Sequence, residues 1–188
     1  RPRRPVAPQM ILGGVRLESV EAGLRALAVR ARVSMKAVFL AAHLKVLSQL
    51  TAQDRFCTGL VWDTRPEAEG SDRVLGMHLN TLPFKASRPT GSWTELVRRV
   101  FADELAAFTH RRLPLPAIQR QAGGTPLLSV IFTYLDFHVA RGDAVDLDAT
   151  IANSPTEFDL NVTTLGGLLG LSSTTGVIGR ADMDRLSD

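Results

Sequence analysis

At 188 residues, 45% hydrophobic and 22% charged, the chain is long and apolar enough to bury a sizeable core. Its net charge of +3 argues against a nucleic-acid partner, which would call for a basic stripe on one face, and no apolar run approaches the roughly 18 residues of a membrane helix. The one cysteine, Cys57, lies in an apolar stretch and reads as a buried thiol in a reducing compartment; with no secretory leader pattern ahead of the first helix, a cytoplasmic location is expected.

The opening "RPRRPVAPQM" (residues 1–10) reads as an extended Pro/Arg linker, because proline removes donors and disfavours helix at the preceding residue. It lacks an initiator Met, and the chain is expected to be part of something longer. Ile11–Leu17 reads as a short strand. Ser19 then stands as a cap for a helix running to about Arg32, with Glu21 in its first turn and Val20, Leu24, Leu27 and Ala31 as its buried stripe. Ser34 caps a second helix, "MKAVFLAAHLKVLSQL", apolar nearly all round and so buried on most sides; His43 within it reads as a core histidine bonded to a neighbour. "RFCTGLVWD" is a strand, "TRPEAEGSD" a charged loop, and "RVLGMHLNTLPFK" (residues 73–85) a second, half-buried strand.

Ser92 with Glu95 makes a capping box for a helix over "WTELVRRVFADELAAFTHRR", with Leu96, Val100, Leu105 and Phe108 as its apolar positions. "RLPLPAIQRQAGGTP" breaks that helix with prolines and glycines. "LLSVIFTYL" is a near-continuous β-branched and aromatic run, the mark of a central strand. A loop "DFHVARGDAVDLD" follows, and "EFDLNVTTL-GG-LLGLSSTTG" reads as a hairpin turning on Gly166 and Gly167. Helices and strands in this order predict an α/β two-layer sandwich, a mixed β-sheet packed by helices. Strict βαβ alternation is absent, which disfavours a dinucleotide-binding fold.

The chemistry-bearing residues are sparse. The four histidines show no metal-ligand spacing, and neither a Gly-x-Ser-x-Gly elbow nor a phosphate loop occurs. Ser129 lies in a strand, where packing is its expected role. His138 and Asp143 of "HVARGD" offer a base and an orienting acid, but in a polar loop. His110 at a helix end reads as a cationic C-terminal cap, and His78 as a residue that lines a cavity or packs at a sheet edge. Taken alone, these residues describe a mixed α/β unit with no self-contained active site.

Several segments together resemble the C-terminal half of the condensation domain of nonribosomal peptide synthetases, a family with the chloramphenicol-acetyltransferase-like fold. "GLVWDTR" is similar to the family's Gly-x-x-x-x-x-Arg strand through Gly59 and Arg65. "VLGMHLNTLPFK" resembles its Val/Ile-Gly-x-Phe-Val-Asn-Thr motif through Val74, Gly76, Asn80 and Thr81. "HRRLPLP" resembles His-Gln-x-x-Pro-Phe-Glu through His110 and Pro114, and "TEFDLNV" its Phe-Asp-Leu segment through Asp159. Departures are His78 for Phe, Lys85 for Arg, Arg111 for Gln, Leu115 and Pro116 for Phe-Glu, and Thr133 at the strand Asn.

The resemblance implies that residues 11–188 are one lobe of a two-lobed, V-shaped domain. The catalytic His-His-x-x-x-Asp-Gly motif belongs to the other, N-terminal lobe and is absent from this sequence, so no catalytic residue is assigned here and activity of the chain alone is not expected. Gly76, His78, Asn80, Thr81 and Thr133 are the implied tunnel and lobe-interface candidates, with Gly59, Arg65, His110, Pro114 and Asp159 as structural motif positions. The segment from about Asp136 through the hairpin is the implied crossing to the other lobe. The implied partners are the N-terminal lobe, donor and acceptor carrier proteins and neighbouring synthetase domains, with no nucleic acid and no membrane. No cofactor or metal is bound directly; the phosphopantetheine arms of the carriers bring the substrates for peptide bond formation in antibiotic-type biosynthesis. Two alternatives remain open: a domain that has lost its chemistry and recruits partners, and a lobe of a related ester-forming acyltransferase.

Overall fold

The structure, a computed structural model, describes residues 9–135, 157–165 and 167–187, the side chain of Asp72 excepted. The first eight residues, the segment with His138 and Asp143, and Gly166 lie outside the described residues. Strands β1 (Met10–Arg16), β2 (Arg55–Asp63), β3 (Leu79–Ser87), β4 (Val130–Leu135), β5 (Leu160–Leu165) and β6 (Leu168–Thr174) form one six-stranded sheet in the order β1-β6-β5-β4-β2-β3. β2, β4 and β5 run parallel at its centre, and the outer pairs are antiparallel. This is the mixed sheet expected. The hairpin β5–β6 belongs to it, between β4 and β1, rather than crossing to another body; Gly167 supplies the positive φ, +82°, that the turn needs.

Helices α1 (Glu21–Ala31), α2 (Met35–Leu50) and α3 (Trp93–Phe108) share one hydrophobic core with the sheet. Alternation along the strands puts Leu60 and Trp62 of β2, Leu82 and Phe84 of β3, and Phe132 of β4 into it, against Val38, Leu40, Ala41 and Leu44 of α2. The Ser34 hydroxyl caps α2 as expected, accepting the Ala37 N–H at 3.1 Å, and Ser92 with Glu95 forms the capping box on α3. The Ser92 backbone N–H and hydroxyl both donate to the exposed Glu95 carboxylate and hold its pKa below the usual range.

Other expectations change. Ser19 does not cap α1: the Leu17 carbonyl accepts the N–H groups of both Val20 and Glu21, so backbone closes the first turn, and Val20 is half-exposed while Ala28 and Ala31 are buried. The strand expected from residue 73 begins only at Leu79. Arg65 Nη1 binds the carbonyls of Ser71 and Val74, and Thr64 binds the His78 carbonyl through both N–H and hydroxyl, which folds residues 64–78 into a loop. α3 stops at Phe108, leaving Leu105 and Phe108 largely exposed. The proline-rich breaker holds a short helix, α4 (Leu115–Gln121), with Pro116 in the first turn, where a missing N–H costs no intrahelical bond.

A further helix, α5 (Arg180–Ser187), was not anticipated. It buries Met183 completely over β1. Gly13 makes room for it, since a Cβ there would stand 2.8 Å from Met183 Cγ.

Candidate functional site

The site candidates converge where β2 and β4 part. The two strands are paired only at Gly59↔Ile131 and Leu60↔Phe132. Beyond that, β2 stays with β3 as far as Asp63↔Leu79, and β4 stays with β5 as far as Leu135↔Leu165. A cleft of about 480 Å³ occupies the fork, with Val61, Trp62 and Asp63 on one side, Thr133, Tyr134 and Leu135 on the other, and Arg65 and Gly76–Leu79 across its mouth. Gly76, His78 and Thr133 thus line one cleft. Gly76 has φ +150°, a region that side chains avoid, and the nearest atom to a Cβ there would be His78 Nε2 at 3.4 Å.

Asn80 and Thr81 stand just behind the cleft. The Asn80 amide donates to the carbonyls of Arg111 at 2.8 Å and Leu113 at 2.7 Å, tying the α3–α4 turn to the start of β3. Among the described residues its partner is therefore a neighbouring loop of the same chain. That turn is held from a second direction by Arg111, which is buried, stacks 3.7 Å over the Phe108 ring and pairs with Glu67 at 2.6 Å. Phe108 in turn meets Trp62 edge-on at 5.9 Å, and Lys36 sits 3.8 Å over the Trp62 ring while pairing with buried Glu104 at 3.0 Å. Trp62, Glu67 and Arg111 were missed as site-builders. Their signal was available in Trp62, the large aromatic at the end of the β2 run, and in Arg111, noted only as a departure.

The remaining candidates serve the frame. Gly59 lets Ile131 and Thr81 meet across the sheet, since a Cβ there would lie 2.7 and 2.8 Å from their Cγ2 methyls. Arg65 anchors the 64–74 loop, and its own N–H rests on Asp63 Oδ1 at 2.8 Å. His110 is exposed beyond the end of α3, and its backbone N–H, not its ring, takes the Ala107 carbonyl. Pro114 precedes α4 as its N-cap residue, and the Asp159 carbonyl accepts the Ser173 hydroxyl at 2.6 Å. Ser129 is exposed just ahead of β4, and its carbonyl accepts the Leu160 N–H.

Two titratable groups, His43 on α2 and Cys57 on β2, are tuned for structure. His43 is buried against Phe132, with its Nε2 3.0 Å from Thr58 Oγ1. Thr58 donates its one proton to the Val130 carbonyl, so the His43 ring is the donor, through Nε2–H, to Thr58 Oγ1. Burial lowers its pKa from 6.5 to about 4. Cys57 is half-buried rather than buried; desolvation pushes its thiol up, against a smaller pull from Lys85, which disfavours the nucleophilic thiolate. Among the described residues no His, Cys, Asp and Glu gather as a metal site.

Comparison with known proteins places this frame. Residues 13–168 match the family model described as "Condensation domain". Over 115 residues the chain is 42% identical to the AMB antimetabolite synthetase AmbE of Pseudomonas aeruginosa, covering 61% of this chain and 5% of that protein. It is 26% identical over 181 residues to tyrocidine synthase 2 of Brevibacillus parabrevis, covering 87% of this chain and 5% of that protein. The fold superposes on the first condensation domain of the CDA synthetase with a TM-score of 0.78 at 22% identity, over 97% of this chain and 42% of that one. The chain thus spans a small fraction of the synthetases it matches and under half of the solved domain.

Proposed function

The chain belongs to the condensation-domain family, and on that footing we propose that it is the C-terminal lobe of a domain that joins a carrier-bound acyl or peptidyl thioester to an acceptor amine. Its part is architectural: it forms one wall of the reaction chamber, while a second lobe bearing His-His-x-x-x-Asp-Gly supplies the acid–base group. The observation that carries this reading is the convergence of three separated motifs at one end of the sheet. Arg65 just past β2 with the Val74 segment it holds, Asn80 of β3 and the His110–Pro114 turn are locked together there by the Asn80, Arg65 and Arg111 bonds. These contacts hold the cleft's rim rigid, as a wall that positions two tethered reactants requires.

The cleft's own side chains do not supply the chemistry. His78 Nε2 is sealed from solvent, and the Arg65 guanidinium is occupied by carbonyls. Phosphopantetheine arms of donor and acceptor carriers bring the reactants, and a cytoplasmic synthetase is the proposed setting.

The test is a transfer assay with an aminoacyl-loaded donor carrier and an amine-loaded acceptor carrier. Product is expected when this chain is joined to a lobe carrying His-His-x-x-x-Asp-Gly, and none with this chain alone. Turnover by the chain alone overturns the assignment of the acid–base group. An inert two-lobe protein overturns the transfer reading in favour of partner recruitment, and product from a hydroxyl but not an amine acceptor shows an ester-forming enzyme.

A further inference from the structure

We propose that a cavity enclosed by α2, strands β4, β5 and β6, and α5 is a binding site for a small monocyclic arene carrying one hydroxyl or N–H donor, which it gives to His43 Nδ1. The cavity measures about 110 Å³, and its lining residues are apolar except for His43. That is the scale of the ~150 Å³ apolar cavity that stays dry and takes up benzene. Phe39 and Phe132 supply aromatic walls, and Leu186 of α5 helps to close it. It reaches the surface beside Val46 and Leu50 on α2, which are 47% and 61% exposed. It shares no lining residue with the cleft at the fork of β2 and β4, so the proposal does not rest on the transfer reading.

His43 gives the cavity its selectivity. The ring is fixed from one side, because Nε2–H goes to Thr58 Oγ1 and the Thr58 proton goes to the Val130 carbonyl. It is uncharged at neutral pH, since burial lowers its pKa to about 4. Nδ1 is then a bare acceptor. It has no hydrogen-bond partner among the described residues, yet it is not sealed from a probe as Trp62 Nε1 and His78 Nε2 are. A water lodged there finds this one side-chain partner, where two to four are needed to hold it. An arene with one donor fits both features: its ring buries apolar surface against the leucines and phenylalanines, and its O–H or N–H meets Nδ1. A charged ligand does not fit, because no charged side chain lines the cavity to pair with it.

The experiment titrates the 188-residue chain at neutral pH with phenol, with toluene as the donor-free probe and benzoate as the charged one. The methyl signals of Val162 and Leu171 report on the cavity, those of Val97 on α3 report on the core outside it, and the ring ¹⁵N signals of His43 report on Nδ1. Phenol and toluene are both expected to shift the Val162 and Leu171 methyls and to leave Val97 still, while benzoate moves none of them. Phenol alone moves the Nδ1 signal upfield, toward a hydrogen-bonded nitrogen. A residue that merely packs would show the methyl shifts without that movement.

His43→Leu removes the acceptor and leaves the Thr58 proton on Val130. It is expected to weaken phenol roughly fivefold or more while toluene is retained. Ala42→Phe, from a half-buried lining position, fills the space and abolishes binding of both. No methyl shift with phenol, an Nδ1 signal that stays in place at phenol saturation, equal weakening of phenol and toluene in His43→Leu, or full affinity in Ala42→Phe each overturns the site. Should either variant lose its dispersed spectrum, the Nδ1 signal of the unmodified chain decides alone.

Discussion

Asn80 shows how one side chain can join two parts of a chain that are distant in sequence. Its two donors reach the carbonyls of Arg111 and Leu113, more than 30 residues away, so replacing it leaves two sheltered acceptors without partners. Asn80→Leu is expected to destabilise the chain by about 2 kcal/mol, read as a lower urea midpoint with unchanged slope; a midpoint equal to wild type refutes the brace. His43 makes a pH-dependent contribution. The unfolded chain protonates this imidazole below 6.5, whereas the folded chain resists until about 4. Its neutral-state stabilisation is therefore complete above 6.5 and is lost as pH falls toward 4. Between pH 7 and 5 this amounts to about 2 kcal/mol, and urea unfolding of His43→Gln should show a correspondingly flatter profile over that window. Polar Asn80 and Thr81 inside an apolar run need partners, yet the sequence hides the partner's identity: nothing in "HRRLPLP" says that its carbonyls turn toward β3.

At the scale of elements, those with strong periodicity or explicit caps were legible. β2 runs Arg55–Asp63 as expected, and α2 and α3 start on Ser34 and Ser92. Elements decided by tertiary contacts were not. α5 has little apolar surface beyond Met183 and Leu186, and it is held by the space that Gly13 leaves on β1. The false start of β3 has a similar cause, because residues 74–78 alternate like a strand while the Arg65 and Thr64 bonds hold them as a loop. Gly59 carries an energetic consequence at this scale. Adding a methyl group there pushes the β-branched side chains of Ile131 and Thr81 apart at the point where β2 meets β4. Gly59→Ala should cost about 1–3 kcal/mol by overpacking, measured by urea unfolding, and a neutral substitution would mean that the β2–β4 contact yields easily.

For the whole molecule, the sheet's topology explains why the site lies at this end. Parallel β2 and β4 both finish there, their short ladder lets them separate, and the loop leaving β2 wraps back over the gap under the control of Arg65. This loop is also where apolar side chains face outward: Leu75 is 97% exposed and Met77 85%, with Val74 and Leu79 beside them. Such a patch next to the cleft suits a covering surface, and under the proposed two-lobe arrangement that cover is the second lobe. Both side chains project from a loop rather than from the core, so changing them should spare the fold. The double substitution Leu75→Glu with Met77→Glu is therefore expected to leave the urea midpoint of this chain within about 0.5 kcal/mol of wild type while weakening its association with a separately produced second lobe roughly tenfold or more, because two charges must be desolvated at the junction. Isothermal titration of the two lobes reads that change directly, and undiminished affinity would place the junction elsewhere on the chain.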